Sequence, residues 1–118
     1  MNRTHAFATA FTLSLLAPLA QAACTLEAEP AIPDGAKATL DQMKAAQASV
    51  KTYGEAYRSC LDAANAEVPA DETAEAKAAR EQAYTAAYNA SIDRQEALAA
   101  KFNESVKAYK AAQPPATN

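Results

Sequence analysis

Histidine, glycine and tryptophan are almost missing from this chain of 118 residues, which has one histidine, two glycines and no tryptophan. The single histidine, His5, lies in an N-terminal segment that we expect to be removed. Without it the chain lacks the usual base of a nucleophile–base pair and the commonest zinc ligand. Neither glycine has another at the spacing of a phosphate-binding loop. We therefore expect no enzyme, no metal site and no cofactor, although the many carboxylates leave an unusual acid–base hydrolase as an alternative.

Long apolar runs are also scarce, and the one that exists is typical of an export signal. Arg3 precedes a mostly apolar stretch over residues 6–19, and Ala20-Gln21-Ala22 supplies a small-x-small cleavage pattern. The run is too short for a membrane span, which needs about 20 residues. We predict a cleaved bacterial signal peptide over residues 1–22, hence a periplasmic or secreted protein. A retained anchor and a lipoprotein acylated on Cys24 are the alternatives.

Basic charge is low once the signal peptide is gone. Removal of Arg3 leaves 10 basic against 14 acidic residues, a net charge of about −4. Nucleic-acid binding needs a concentrated basic patch, so we expect no nucleic-acid partner. Because no other segment is apolar enough to span a bilayer, we also expect no membrane insertion after cleavage. The 96 residues that remain of 118 are enough for one small domain.

Runs of β-branched residues are missing, whereas 28 of the 96 mature positions are alanine, so the composition favours helices. The fold class that we predict is all-α: an antiparallel helical hairpin over residues 39–112, with helices at about 40–66 and 72–112. An extended, proline-containing leader over residues 23–38 precedes it, with a turn at Pro33-Asp34-Gly35. A disordered tail over residues 113–118 follows Pro114 and Pro115.

The helix boundaries and faces follow from capping signals and periodicity. Thr39 with Gln42 is typical of a capping box, and Pro69 ends the first helix before Asp71 or Thr73 caps the second. Two apolar stripes repeat every three or four residues. The first consists of Met43, Ala46, Val50, Tyr53, Tyr57, Cys60 and Ala64, and the second of Tyr84, Tyr88, Ile92, Gln95, Leu98, Ala99, Phe102, Val106 and Tyr109.

Glycine inside the first helix and Asn89-Ala90-Ser91 inside the second are the two irregularities of this pattern. A glycine in a helix costs about 1 kcal/mol relative to alanine. We interpret Gly54 as a point of close approach for an opposing tyrosine ring, with a simple tolerated defect as the alternative. The pattern does not decide whether the second helix is continuous or kinked near residues 89–91.

The second helix is predicted to outrun the first, which leaves Phe102, Val106 and Tyr109 without a helical partner. Either the leader or a second molecule would cover them, so these three residues are our candidates for self-association. The candidates for a binding patch are the tyrosines expected near the closed end of the hairpin: Tyr53, Tyr57, Tyr84 and Tyr88. Filling of the core by these rings, with each hydroxyl at the rim, is the simpler interpretation.

The two cysteines are predicted to form a disulfide. The leader is long enough to run back along the first helix and place Cys24 beside Cys60. Closing this loop of 37 residues would stabilise the fold by about 3.8 kcal/mol in the chain-entropy model. An oxidising compartment makes such a bond expected. Two free thiols used for metal or redox chemistry remain the alternative.

A set of short motifs carries a resemblance to known proteins. They are Cys24, Pro30-Ala31-Ile32-Pro33-Asp34-Gly35, Gln42-Met43, Val50-Lys51-Thr52-Tyr53 and Cys60-Leu61. This order resembles a group of small exported proteobacterial proteins that have no assigned activity. The resemblance implies an envelope location and a disulfide, and it implies no active site.

Two functional classes are compatible with these observations. The first is a non-enzymatic cell-envelope protein that serves as a structural or protein-interaction module, with an unknown protein partner or with itself. The second is a periplasmic, chaperone-like or stress-related binder that uses an aromatic helical face on unfolded clients.

Overall fold

The computed structural model describes residues 24–114, of which about 70% lie in three helices. They are α1 (Leu40–Thr52), α2 (Glu55–Ala66) and α3 (Ala74–Ala112). The predicted signal peptide over residues 1–22 and most of the predicted tail lie outside the described residues. The all-α class is confirmed, and no strand occurs in the part of the chain that is described.

The prediction of a two-helix hairpin was wrong in one respect: the segment predicted as the first helix forms two helices, α1 and α2. Tyr53 ends α1 with extended backbone angles, and Gly54 precedes α2 with a φ of 77°. This left-handed conformation is natural for glycine and costly for a residue with a Cβ atom. The interpretation of Gly54 as an approach point for a tyrosine ring was therefore also wrong. A Cβ atom at Gly54 would meet the side chains of Arg58 and Leu26.

The break changes which residues of α2 face inward. A continuous helix would bury Tyr57, Cys60 and Ala64, but the buried residues of α2 are Arg58 and Leu61. Tyr53 and Gly54 both lie outside the helical conformation and do not add the usual helical rotation, so a different set of α2 positions faces inward. Tyr57 and Cys60 consequently lie at the rim, half-buried.

Helix α3 runs antiparallel to both α1 and α2 and is continuous from Ala74 to Ala112, residues 89–91 included. Side-chain contacts fix the register along its length. From the connection outward, the pairs are Asn65 with Arg80, Asp62 with Tyr84, Arg58 with Ser91, Val50 with Gln95, and Met43 with Ser105. Because Met43 reaches Ser105, α1 does provide a partner for the C-terminal half of α3.

The leader lies along α3 and runs in the same direction. Glu29 forms an ion pair with Lys101 at 3.6 Å, and the Ser105 hydroxyl donates to the Pro33 carbonyl at 2.6 Å. At Gly35 the chain comes so close to α3 that a Cβ atom would overlap the carbonyl of Ser105. Asp34 then accepts hydrogen bonds from the backbone of the turn, which confirms the turn predicted at Pro33-Asp34-Gly35.

The core lies between the leader, α1 and the C-terminal half of α3. Its buried residues are Met43, Ala46, Val50, Tyr53, Leu98 and Phe102, and Leu26, Ile32, Ala38, Ala99, Val106 and Tyr109 pack against them. The capping box at Thr39 and Gln42 is confirmed, and Thr73 caps α3. Two serines of α3, Ser91 and Ser105, are buried on the stripe where the sequence indicated Ile92 and Val106.

The predicted disulfide joins Cys24 to Cys60, with the two Cα atoms 5.7 Å apart. This separation lies in the usual range for such bonds. The bond ties the start of the leader to the rim of α2. A disulfide is consistent with an oxidising, exported location. Within residues 24–114, no helix has the length and hydropathy needed to cross a membrane.

Candidate binding surfaces around the helix break

The four tyrosines predicted to converge lie in three different environments. Tyr53 belongs to the core and is 3% exposed. Tyr57 faces a cavity beside the disulfide. Only Tyr84 and Tyr88 contact each other, with ring centroids 5.7 Å apart and a tilted geometry. Of the predicted cluster, the structure therefore brings together one pair, which we call the tyrosine pair.

The tyrosine pair is half-buried on α3, near the connection between α2 and α3. The Tyr84 hydroxyl donates a 2.6 Å hydrogen bond to the Asp62 carboxylate on α2. This bond raises the pKa of Tyr84, because ionisation would place a second negative charge beside Asp62. Val68, in the same connection, is 57% exposed. This end of the molecule thus presents two tyrosine rings and an aliphatic side chain to solvent.

The residues proposed for self-association are placed against the rest of the chain. Phe102 is buried in the core, and Val106 and Tyr109 are half-buried and pack against it. The backbone at Gly35 lies directly on α3 at Ser105 and Tyr109. Of the two covers considered from the sequence, the leader is the one observed in this chain. Self-association through these residues stays a prediction.

A buried arginine that the sequence did not single out lies at the helix break. Arg58 is 9% exposed, and its guanidinium donates to the Gln95 side chain at 3.0 Å and, at 3.4 Å, to both the Tyr53 carbonyl and the Ser91 hydroxyl. All three acceptors are neutral. A cation near the C-terminus of α1 is favoured by the helix dipole, which partly compensates for its burial.

The polar groups around Arg58 complete the hydrogen bonding of the break. The Gln95 amide donates to the carbonyls of Val50 and Lys51, which end α1 and lack helical partners. The Glu27 carboxylate accepts the Gly54 N–H at 2.7 Å. Among the described residues, no buried side-chain nitrogen or oxygen lacks a partner. The break is thus held by hydrogen bonds from α3 and from the leader.

A cavity of about 350 Å³ opens beside the disulfide, between the leader, α2 and α3. Its lining residues are Cys24, Thr25, Leu26, Tyr57, Ala87, Ala90, Ser91 and Arg94. The sequence does not predict this cavity, because its walls come from three segments that are far apart in the chain. The one signal was the shared helical face of residues 87, 90, 91 and 94.

Within residues 24–114, no group of three or more histidine, cysteine or acidic residues lies close enough together to hold an ion. Both cysteines are joined in the disulfide.

Comparison with known proteins gives no match to this chain, whether by protein-family model, by curated sequence or by solved structure. The resemblance to small exported proteobacterial proteins therefore stays a prediction that rests on the motifs between Cys24 and Leu61. The fold itself is shown by its geometry: three helices and an extended leader, closed by one disulfide.

Proposed function

We propose that this chain is a small, exported, non-enzymatic protein of the cell envelope that serves as a protein-interaction module. The observation that carries the proposal is the tyrosine pair, which stays half-exposed and is not part of the buried core. Tyrosine and aliphatic side chains at a surface favour protein contacts, since they offer apolar area with little conformational entropy to lose. The partner is another protein or a second copy of this chain.

Export is supported by the disulfide and by the signal-like sequence over residues 1–22. Mass spectrometry of protein isolated from its host without reductant tests it. The expected result is a chain that begins at Ala23 and carries an intact Cys24–Cys60 bond. Free thiols, a retained N-terminus or an acylated Cys24 would contradict this part of the proposal.

A chaperone-like binder of unfolded chains is the second candidate. It is favoured by the position of Val68 and the tyrosine pair at one end of the molecule, because mixed aromatic and aliphatic surfaces accept many apolar segments. Suppression of the thermal aggregation of a client such as citrate synthase tests this candidate. Protection that is unchanged in the double variant Tyr84→Ala/Tyr88→Ala would contradict it.

The general proposal is tested by sedimentation of the mature chain and by the same aggregation assay. We expect either concentration-dependent association or client protection, and we expect the double tyrosine variant to lose it. The matched control is Thr85→Ala/Asn89→Ala, which changes two exposed residues on the same two turns of α3. A strictly monomeric chain without client protection would overturn the proposal, as would turnover in a broad hydrolase screen.

A further inference from the structure

The residues that line the cavity beside the disulfide are partly apolar and partly polar. Leu26, Ala87 and Ala90 are aliphatic, and Cys24 adds a sulfur-containing side chain. The polar lining residues are Thr25, Tyr57, Ser91 and Arg94. A volume of about 350 Å³ lies at the lower end of the range found for small-molecule sites. The cavity therefore fits a compact molecule with an apolar body and a polar head.

The charge of the polar head follows from the arginines. Residues 24–114 contain three arginines, and only Arg80 forms an ion pair, with Glu72 at 2.7 Å. Among the described residues, Arg58 and Arg94 are absent from every ion pair. Arg94 is exposed and lines the cavity. Of the two arginines without an ion pair, Arg94 lines the cavity and Arg58 donates to Ser91, another lining residue, in a protein whose overall charge is negative.

The buried cation lies directly behind the cavity wall. The Arg58 guanidinium donates to the Ser91 hydroxyl, and that hydroxyl donates to the Tyr88 carbonyl at 2.8 Å. Ser91 is 1% exposed, so little water separates Arg58 from the wall that Ser91 forms. A cation screened so weakly favours a negative charge in the cavity. No acidic residue is among those that line the cavity.

We infer that this cavity binds a small organic carboxylate with an apolar or aromatic body. The carboxylate pairs with the Arg94 guanidinium and accepts from the hydroxyls of Tyr57 and Thr25. The apolar body lies against Leu26, Ala87 and Ala90. The geometry of a guanidinium suits a carboxylate, since two parallel N–H groups meet its two oxygens. This inference goes beyond the proposed protein interaction and does not depend on the tyrosine pair.

The test is a titration of the isotopically labelled, oxidised mature chain with 3-phenylpropionate, followed by amide NMR spectra. The neutral analogue 3-phenylpropanol is titrated in parallel. We expect saturable shifts at residues around the cavity with the acid at millimolar concentration, and about tenfold weaker binding of the alcohol, since a charge-assisted hydrogen bond is lost. Absence of shifts at the cavity, or equal binding of acid and alcohol, would overturn the inference.

Two variants locate the binding site. Arg94→Gln is expected to weaken binding of 3-phenylpropionate by about tenfold, and Ala87→Phe to abolish it by filling the cavity. The control Lys77→Gln removes the same charge from an exposed position nearer the start of α3 and should leave binding unchanged. Because Arg94 and Lys77 are exposed, neither change is expected to unfold the chain. If Arg94→Gln and Lys77→Gln weaken binding equally, the effect comes from net charge alone, and the proposed site is overturned.

A further titration distinguishes two sources of the carboxylate, the C-terminus of a polypeptide and a free metabolite. N-acetyl-Gly-Phe as the free acid presents the same head group as a chain terminus, and its amide removes the charge. If the free acid binds more tightly than 3-phenylpropionate, the natural ligand is the C-terminus of a polypeptide. Tighter binding of 3-phenylpropionate identifies a free metabolite. In either case the inference requires the acid to bind more tightly than its uncharged analogue.

Discussion

A Cβ atom at Gly35 would meet the backbone of α3, whereas one at Gly54 would meet the end of the Arg58 side chain, 2.7 Å from Nη1. The two positions therefore differ in what must move. The carbonyl of Ser105 is held within a helix and cannot shift, whereas the Arg58 guanidinium ends a flexible side chain that can move aside. At Gly54 the remaining cost is the left-handed backbone conformation.

We predict that Gly35→Ala destabilises the protein by about 3 kcal/mol and Gly54→Ala by about 1–2 kcal/mol. Urea unfolding of the oxidised proteins, followed by circular dichroism, measures both values. Ala36→Ser, at an exposed position in the same turn, is the control and should change little. An equal or smaller effect at Gly35 would contradict the close contact with α3.

The Arg58 side chain is the second residue whose environment has a measurable consequence. Arg58→Met keeps the apolar stem but leaves the Gln95 side chain and the Tyr53 carbonyl without a donor. A buried acceptor left unbonded costs about 1–3 kcal/mol, so we expect a loss of stability in that range. Arg94→Met removes an exposed guanidinium and should shift stability by less than about 0.5 kcal/mol. Similar unfolding midpoints for the two variants would show that the network around Arg58 is not needed.

At the scale of elements, the connection between α2 and α3 is held by an ion pair. The Arg80 guanidinium bonds the Glu72 carboxylate through two of its nitrogens, at 2.7 and 3.1 Å, and also reaches Asn65 at the end of α2. The hydrogen bond from Arg80 lowers the pKa of Glu72 below its ordinary value. Folding thus favours the ionised carboxylate. The contribution is present at neutral pH and is lost as the pH falls through the lowered pKa.

We expect Glu72→Gln to be less stable than the wild type at neutral pH, with a difference that disappears on acidification. Urea unfolding at a series of pH values tests this, because the two curves should meet once Glu72 is protonated in the folded protein. Glu75→Gln, an exposed change in the first turn of α3, is the control. A difference that stays constant down to the lowest pH would contradict an ionic origin.

Much of the element structure followed from local sequence signals. The turn at Asp34, the capping box at Thr39 and the cap at Thr73 depend on neighbours within four residues, and the structure has all three. The break at Gly54 did not follow, because the apolar period runs through it without interruption. What stabilises the break is supplied by Glu27 and Gln95, which are distant in sequence.

The buried positions of α3 likewise divide into those that the sequence pattern predicts and those that depend on particular hydrogen-bond partners. Leu98 and Phe102 are apolar and fall on the predicted stripe by their spacing alone, although the spacing left open whether the leader or a second molecule covers Phe102. Ser91 and Ser105 were overlooked, since a serine counts as polar in any hydropathy pattern. Their burial depends on particular acceptors, the Tyr88 carbonyl within α3 and the Pro33 carbonyl in the leader. The cavity could not be predicted from the sequence for a similar reason, because its walls come together only when the chain folds.

At the scale of the whole molecule, the disulfide holds the leader in place against the helices. The leader contributes Leu26, Ile32 and Ala38 to the packing around the core, and it has no helix or strand of its own. Detached, it would leave part of α3 facing water and would gain considerable conformational freedom. The stability of the fold therefore depends on a covalent bond more than is usual for a domain with a larger core.

The double variant Cys24→Ser/Cys60→Ser is expected to lose about 3.8 kcal/mol, the entropy term for a loop of 37 residues. Urea unfolding of the variant, beside the reduced and the oxidised wild type, provides the measurement. The variant should match the reduced wild type, and both should bind more of a dye that reports exposed apolar surface. Equal stability of the variant and the oxidised protein would contradict a structural role for the bond.

The ring closed by the disulfide ends at residue 60, before any residue of α3. During synthesis from the N-terminus, both thiols emerge ahead of the helix on which the leader will lie. With two cysteines in the chain, only one intramolecular pairing exists, and no wrong partner must later be exchanged. Oxidation and packing are thus separable steps, and the first shortens the conformational search that brings Pro33 to Ser105 across 72 positions of sequence.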